Sequence, residues 1–533
     1  MANDKTRFGN DVIEGRGYIL DEPYISRFYD LQTPARMSYS IQAAGFGHEM
    51  ANRPFRYCEL GCGNGITIVI LAALHPDSWF VGIDINPDHI ETANTLAREA
   101  GLTNIEFIRA DFDEAQRQKP EPFDYITVHG VYSWVDAAVR ASMFNFIARF
   151  LKSTGIAYIS YNSNPGWAAK EPIWRLLNRY SRGVSGNSVE KMKESLKFVE
   201  FLSSSDAPYF HENPAAREHL QYLKSEDIHY IAHEFCNDNF SPVYCSDAFA
   251  DARQYGLHFV AQSESAYNLP FERVAEAYRE YIDSMSDRLE QETWSSLLRN
   301  DFFRTDLYTK ILPPQHALED SPLWDRVFML IHPADDLPDQ LTCGSRELAK
   351  NDALVAALIT VSGTTPMTVR DMLKHNSLRR YSPRMIMETA QLLELSGYFG
   401  FLLSPPLNIN GCAAKASIAT TRDDAARIWH FAKPSFRPLL AMNLMSNEFG
   451  YLAAPAFGSA MRFELMDTLA LLALDGRSLG AAAEEFARAL NDDAPHLLRY
   501  PAKADWARGY LDAFNERWHV ILQQLGSIRV GCR

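Results

Sequence analysis

Glu59, Gly61, Gly63, Gly65, Asp84 and Asp111 are the residues whose types and spacing could do chemistry. The glycines stand in R-Y-C-E-L-G-C-G-N-G, Arg56 to Gly65, after a short apolar run that ends in an acid and before Ile66 to Leu74 at helical spacing. The order is strand, tight loop, helix. Glycines in such a loop allow positive φ and let the backbone come within contact distance of a ligand, which a Cβ would block. The turn is therefore suited to a nucleotide-like cofactor. A dinucleotide fingerprint begun at Gly61 and Gly63 needs its third small residue at position 66, where Ile66 stands, so NAD is disfavoured. What remains is acid-x-G-x-G-x-G from Glu59 to Gly65, with Asp84 closing the next apolar run, Trp79 to Ile83. An acid at the end of strand two can accept hydrogen bonds from both hydroxyls of a ribose.

With those residues the stretch resembles the class I S-adenosylmethionine (SAM) dependent methyltransferases. The resemblance implies SAM as cofactor, with the backbone of Gly61, Gly63 and Gly65 against its methionine part and Glu59 facing its amino group. Asp84, with Ile85 next to it, then holds the ribose. There is no pyrophosphate to cradle, and no P-loop lysine is present. Asp111, after strand three, can accept from an adenine exocyclic amine with Phe112 beside the ring, or cap the next short helix, or do both. Upstream, Tyr29 and the Thr33-Pro34 turn are candidate contacts across the cofactor, or else dock the leader, with Tyr18, Tyr24 and Phe28, onto the sheet.

Strand four ends in V-H-G-V-Y-S-W, Val128 to Trp134, where related methyltransferases place residues facing the methyl group. His129 takes the polar position and Tyr132 the aromatic one. His129 is read either as a base or as a buried histidine bonded to a backbone carbonyl. The pattern N-P-P-Y, associated with methylation of planar amides and exocyclic base amines, is absent. Strand five runs into I-S-Y-N-S-N-P-G-W, where Asn162, Asn164 and Pro165-Gly166 form a turn at the sheet mouth and Trp167 could wall an acceptor pocket. The set is similar to bacterial methyltransferases that carry a methyltransferase regulatory domain, typified by the rickettsial protein lysine methyltransferases. The similarity continues through S-P-V-Y-C-S-D-A-F, Ser241 to Phe249, and L-R-N-D-F-F-R, Leu298 to Arg304. It implies methyl transfer to lysine ε-amines of a protein; by position Tyr132, Trp134, Trp167 and Tyr244 are the candidates to line an aromatic channel, and His129 and Asn162 complete the catalytic candidates. A small molecule or saccharide acceptor, or a SAM-binding regulator without turnover, are the competing readings.

These residues need a scaffold, and the alternation supplies one. Strands at Tyr57 to Leu60, Trp79 to Ile83, Asn104 to Ile108, Phe123 to Val128 and Ile156 to Tyr161 alternate with helices at Gly65 to Leu74, Pro87 to Ala100 and Asp136 to Leu151. Asn86 and Pro87 open the second helix as N-cap and first residue, and Gly101 closes it. Such alternation predicts a doubly wound, Rossmann-like α/β sheet with the ligand at the strands' C-terminal ends. Residues 168–256 read as a helical insertion, Leu257 to Ala261 as a late strand of the same sheet, and a seventh strand is not evident. The expected division is a methyltransferase domain over 1–267, a helical middle or regulatory region over 268–342 and a mainly α C-terminal domain over 343–533. In the last, helices at Glu347 to Val361, Thr368 to Leu373 and Pro383 to Leu395 before a strand at Gly397 to Leu403 give a winged-helix-like outline without a dense Lys/Arg stripe. Ser478 to Leu490 is an Ala-rich helix.

The bulk composition bounds the rest. At 533 residues the chain is too long for one core, and 52 basic against 67 acidic residues give a net charge of −15. That balance argues against unspecific binding to nucleic acid or an anionic membrane. No signal peptide and no long apolar span are seen, which reads as a cytoplasmic protein. Seven scattered cysteines form neither a disulfide framework nor a zinc pattern. A homodimer is left open.

Overall fold

A computed structural model describes residues 27–48, 53–364, 367–402, 429–431, 436, 449–454, 459–475, 479–493, 503–524 and 527–530. Tyr18 and Tyr24 of the leader, Leu403 and Ser478 lie outside them.

The centre is a seven-stranded sheet: β1 (Arg56–Leu60), β2 (Trp79–Asp84), β3 (Ile105–Arg109), β4 (Phe123–Val128), β5 (Leu151–Asn162), β6 (His258–Gln262) and β7 (Phe303–Thr309), in the order β3-β2-β1-β4-β5-β7-β6. The first five strands pair in parallel. Strand β7 lies antiparallel between β5 and β6. It was not expected from the sequence, because F-R-T-D-L-Y-T carries Arg304 and Asp306 where a buried strand normally carries apolar residues. Both are buried, and they neutralise each other with Arg304 Nη2 2.8 Å from Asp306 Oδ1.

The helices follow from local sequence. Those framing the sheet are α1 (Pro34–Ala43), α2 (Ile66–Leu74), α3 (Pro87–Glu99), α4 (Phe112–Arg117) and α5 (Ala137–Phe150). Thr33 caps α1 and Asn86 caps α3, each followed by proline at the first helical position. Every residue of α2 is buried. Such an all-round apolar helix needs cover on both sides. It shares one apolar cluster with Tyr57 and Phe80 of the sheet and with Leu452, Met461 and Phe463 of the C-terminal region.

Between β5 and β6 the chain forms α6 (Glu171–Ser181), α7 (Ser188–Ser204), α8 (Pro208–Glu212), α9 (Pro214–Ser225), α10 (Ile228–Phe235) and α11 (Cys245–Gln254). Its helical insertion has a core of its own, built on Ile173, Leu177, Met192, Leu220 and Phe240. After β6 come α12 (Glu276–Asp283) and α13 (Arg288–Arg299), which lead back into β7.

Beyond β7, the strand β8 (Val327–Leu330) precedes a hairpin of β9 (Gln340–Cys343) and β10 (Arg346–Ala349). The helix expected from Glu347 therefore begins later, as α14 (Ala353–Thr364), because Glu347 to Ala349 pair across the Gly344 turn, where φ is +64°. Then follow β11 (Met367–Thr368), α15 (Val369–Met372), α16 (Pro383–Leu395) and β12 (Phe399–Leu402). The winged-helix-like outline is completed from upstream: β8 lies between β11 and β12 in an antiparallel sheet. Leu479–Asp493 is a helix, as read from its alanines. Among the described residues no helix is long and apolar enough to cross a membrane.

Candidate active site

A cleft with about 1170 Å3 of empty volume opens at the C-terminal ends of β1 to β4. It is lined by Gly61, Gly63, Asp84, Ile85, Asp111, Phe112, His129 and Trp134 from the set named by sequence, together with residues that the sequence reading did not name. This is where a doubly wound sheet presents its ligand site.

The glycine loop is shaped by contacts a side chain would forbid. Gly61 has φ +74°, and a Cβ there would lie 2.6 Å from Val131 Cγ2. Gly65 does not line the cleft; it starts α2 in the left-handed region, and a Cβ on it would lie 2.7 Å from Ala93 Cβ. It is there to let α2 and α3 approach. At Gly63 the space a Cβ would fill is open, on the cleft side. The loop is fixed to β2 by Gly61 and Cys62 N–H donating to Ile83 O at 2.7 and 3.1 Å. Asp84 accepts from Gly63 N–H at 2.9 Å and from Asn86 N–H at 2.8 Å, with His89 Nδ1 3.4 Å away. Asp111 caps α4, accepting from Glu114 N–H at 2.7 Å, while also lining the cleft beside Phe112. The cap is thus present, and the carboxyl stands at the cleft wall.

Glu59 is buried at the end of β1, beneath the loop. Burial pushes its carboxyl up to about 8, and the charge of Asp84 adds to it. Its Oε2 has no hydrogen-bond partner among the described residues. A buried carboxyl with an idle oxygen is what a cationic ligand group needs, because the cation would restore the ionised form. The open face of Gly63 and the carboxylates of Asp84 and Asp111 on the cleft wall fit SAM, which when bound supplies a methyl group activated on a sulfonium; Glu59 lies beneath the loop and does not itself line the cleft.

At the end of β4, His129 Nδ1 lies 2.9 Å from Tyr158 Oη rather than against a backbone carbonyl. Tyr29 covers its ring, with centroids 4.0 Å apart, and Phe303 meets its edge at 5.8 Å. Burial, reinforced by the charge of Arg27, pushes the imidazole down to about 3. At neutral pH His129 is uncharged and too weakly basic to take a proton from an ammonium group.

The other residues expected around the acceptor are dispersed. Tyr132 is buried and its Oη donates to Asp251 Oδ2 at 2.6 Å, with Arg140 over its ring. The short 3-10 turn Tyr132–Trp134 sends Tyr132 into the core and leaves Trp134 at the cleft. Trp167 packs edge-on against Phe240, 4.7 Å between centroids, inside the insertion's core. Asn162 is held by its backbone, its N–H donating to Ser133 Oγ and its carbonyl accepting from Val243 N–H. Tyr244 is exposed at the N-cap of α11. None of Tyr132, Asn162, Trp167 and Tyr244 lines the cleft.

His89, Asp136, His233, Glu234, Asn237 and Asn239, none of them a site residue expected from the sequence, line the cleft as well. The last four belong to H-E-F-C-N-D-N, which spans the last turn of α10 and the residues after it, and that cluster of polar residues at a helix end is the available signal. Asn237 is positioned by its amide donating to His233 O at 2.7 Å and its carbonyl accepting from Asn178 at 2.7 Å. Among the described residues no group of His, Cys, Asp and Glu is arranged to hold a metal ion.

Residues 52–234 match the model of a methyltransferase domain, and residues 227–310 that of a predicted methyltransferase regulatory domain. An uncharacterised protein of Synechocystis sp. is 27% identical over 470 residues, covering 87% of this chain and 88% of the relative. An uncharacterised protein of Rickettsia prowazekii is 30% identical over 186 residues, covering 34% of this chain and 72% of the relative. In fold, PKMT2 from Rickettsia typhi, solved in complex with AdoHcy, matches with a TM-score of 0.69 at 18% identity over 95% of this chain and 99% of that one. With the glycine loop, the strand-end acids and the sheet order, these matches place the chain among the SAM-dependent methyltransferases, as a class I enzyme with a methyltransferase regulatory domain.

Proposed function

We propose that the protein transfers methyl groups from SAM to lysine ε-amines of a protein acceptor. The observation that carries this reading is the extent of the likeness to PKMT2: it takes in insertion, regulatory segment and C-terminal region, with 95% of this chain covered. The chemistry of the site supports it. A lysine of pKa about 10.4 is only about 0.04% neutral at pH 7, and the neutral amine is the nucleophile. His129 is a poor base, so it is not the group that takes the lysine proton. Apolar surroundings and a nearby sulfonium both favour the neutral amine. His129 and Trp134 give that end of the cleft aromatic walls, with Tyr29 packed on the His129 ring but not lining the cleft itself, and in-line attack then needs positioning more than a base.

The test is transfer from methyl-labelled SAM into a cell extract separated by size. Label in the macromolecular fraction, returning as methyl-lysine after hydrolysis, is expected. Label confined to small molecules would overturn the reading in favour of a metabolite or saccharide acceptor. Bound SAM with transfer to neither fraction would favour a regulator.

A further inference from the structure

We propose that the outward face of α12 and α13 is the docking surface for a cationic segment of the acceptor protein. This rests on the protein-lysine reading and adds where the acceptor is held. The face is apolar where solvent should select polar residues. Tyr278 and Tyr281 stand three apart on α12, Trp294 and Leu298 four apart on α13, so each pair shares one side of its helix. Tyr281 is 59% exposed and Trp294 41%, with their rings edge-on at 6.3 Å. Aromatic side chains left in water together at this density mark an interaction site more often than a solvated surface.

Charge selects the occupant. Glu276, Glu280, Asp283, Asp287 and Glu290 are all exposed, whereas no arginine of this stretch is. Arg279 donates to Phe271 O, Arg288 to Val260 O, and Arg299 to Asp301 and Glu292. The bases are turned into the fold and the acids and rings out. Two copies of this face would set acids against acids, which disfavours a dimer through it. A lysine-rich segment meets both features, since ammonium groups pair with the acids and lie over aromatic faces. Position agrees. Helix α13 ends beside exposed Phe302, whose carbonyl accepts from Ser163 N–H at 2.8 Å. The next residue, Phe303, touches His129. The face therefore leads to the rim of the active site.

The experiment compares full-length wild type with Trp294→Ala and with the double variant Glu280→Gln, Asp283→Asn, using poly-L-lysine and N-acetyl-lysine amide as acceptors. Binding of poly-L-lysine is measured separately by calorimetry. Expected is a loss of about tenfold in kcat/KM on poly-L-lysine, carried by KM, since aromatic anchors of an interface each contribute at about that level. A matching loss of binding is expected, with SAM affinity and the rate on N-acetyl-lysine amide unchanged. Equal losses on both acceptors, unchanged poly-L-lysine binding, or a change of oligomeric state in Trp294→Ala would each overturn the proposal. Wild type that binds poly-L-lysine through this face and methylates neither acceptor would overturn the lysine reading alone.

Discussion

The two halves of the sheet are built by different means. On the cofactor side, at the ends of β1 to β3, the contacts that matter are local or join neighbouring strands. Asp84 holds Gly63 and Asn86, and Asp111 and Glu114 cap each other across three residues. On the other side, around β4, β5 and β7, they span the chain. Tyr132 reaches Asp251 across 119 positions and Tyr161 reaches Asp306 across 145. Burial alone would lower Arg304, but Asp306, Tyr161 and Glu292 outweigh it and keep the guanidinium charged. One half is held by short motifs, and the other is assembled by folding.

Breaking the second half should therefore register in stability. Asp306→Ala removes the buried partner of Arg304, and breaking such a pair costs about 3–5 kcal/mol. We expect the urea midpoint to fall accordingly, with SAM affinity of the remaining folded protein retained. An unchanged midpoint would mean that Glu292 and Asp301 suffice for Arg304, and that the halves differ less than their contacts indicate. The converse variant, Asp84→Ala, should leave the fold standing and weaken SAM binding by about ten- to a hundredfold, the equivalent of 1.4–2.8 kcal/mol. Unchanged affinity in a titration would sink the role given to Asp84. Tyr132→Phe sharpens the contrast at one residue. Its bond to Asp251 is to a half-buried carboxylate that water can partly satisfy, so we expect a loss of about 1.5 kcal/mol in stability. Turnover per folded molecule should stay the same; a fall in kcat would return Tyr132 to the acceptor channel.

The same contrast explains what could be read in the chain. Strand, glycine loop and helix from Arg56 to Leu74 were legible because strand, turn and helix each carry their own local signal, and the strand-end acids fall at periodic positions. Strand β7 was not, because Arg304 and Asp306 make sense in a core only once they are seen paired with each other and with Tyr161. The place of Trp167 after β5 suggests an acceptor pocket, yet it packs on Phe240, a partner supplied by the insertion. His233 to Asn239 were missed for the same reason: their place at the cleft depends on how α10 folds back over the sheet.

Glu59 offers the finest test of the cofactor half, because its motif position and its burial make one joint prediction. Its folded value of about 8 lies above an ordinary carboxylate's, so between about pH 4.5 and 8 the folded protein without ligand holds one more proton at this site than the unfolded chain. Stability from this group is thus present at low pH and is lost as pH rises toward 8. Ligand affinity should run the other way. A cationic amino group prefers the ionised carboxylate, so binding expels that proton below about pH 8, and affinity should rise with pH by at most about tenfold per unit, then level off. Titration of the ligand's own amine acts on wild type and Glu59→Gln alike, so the difference between their pH profiles isolates Glu59. A slope in wild type that vanishes in Glu59→Gln is expected from calorimetry. Parallel profiles would show that Glu59 does not change protonation on binding and would remove it from the contact with the cationic amino group.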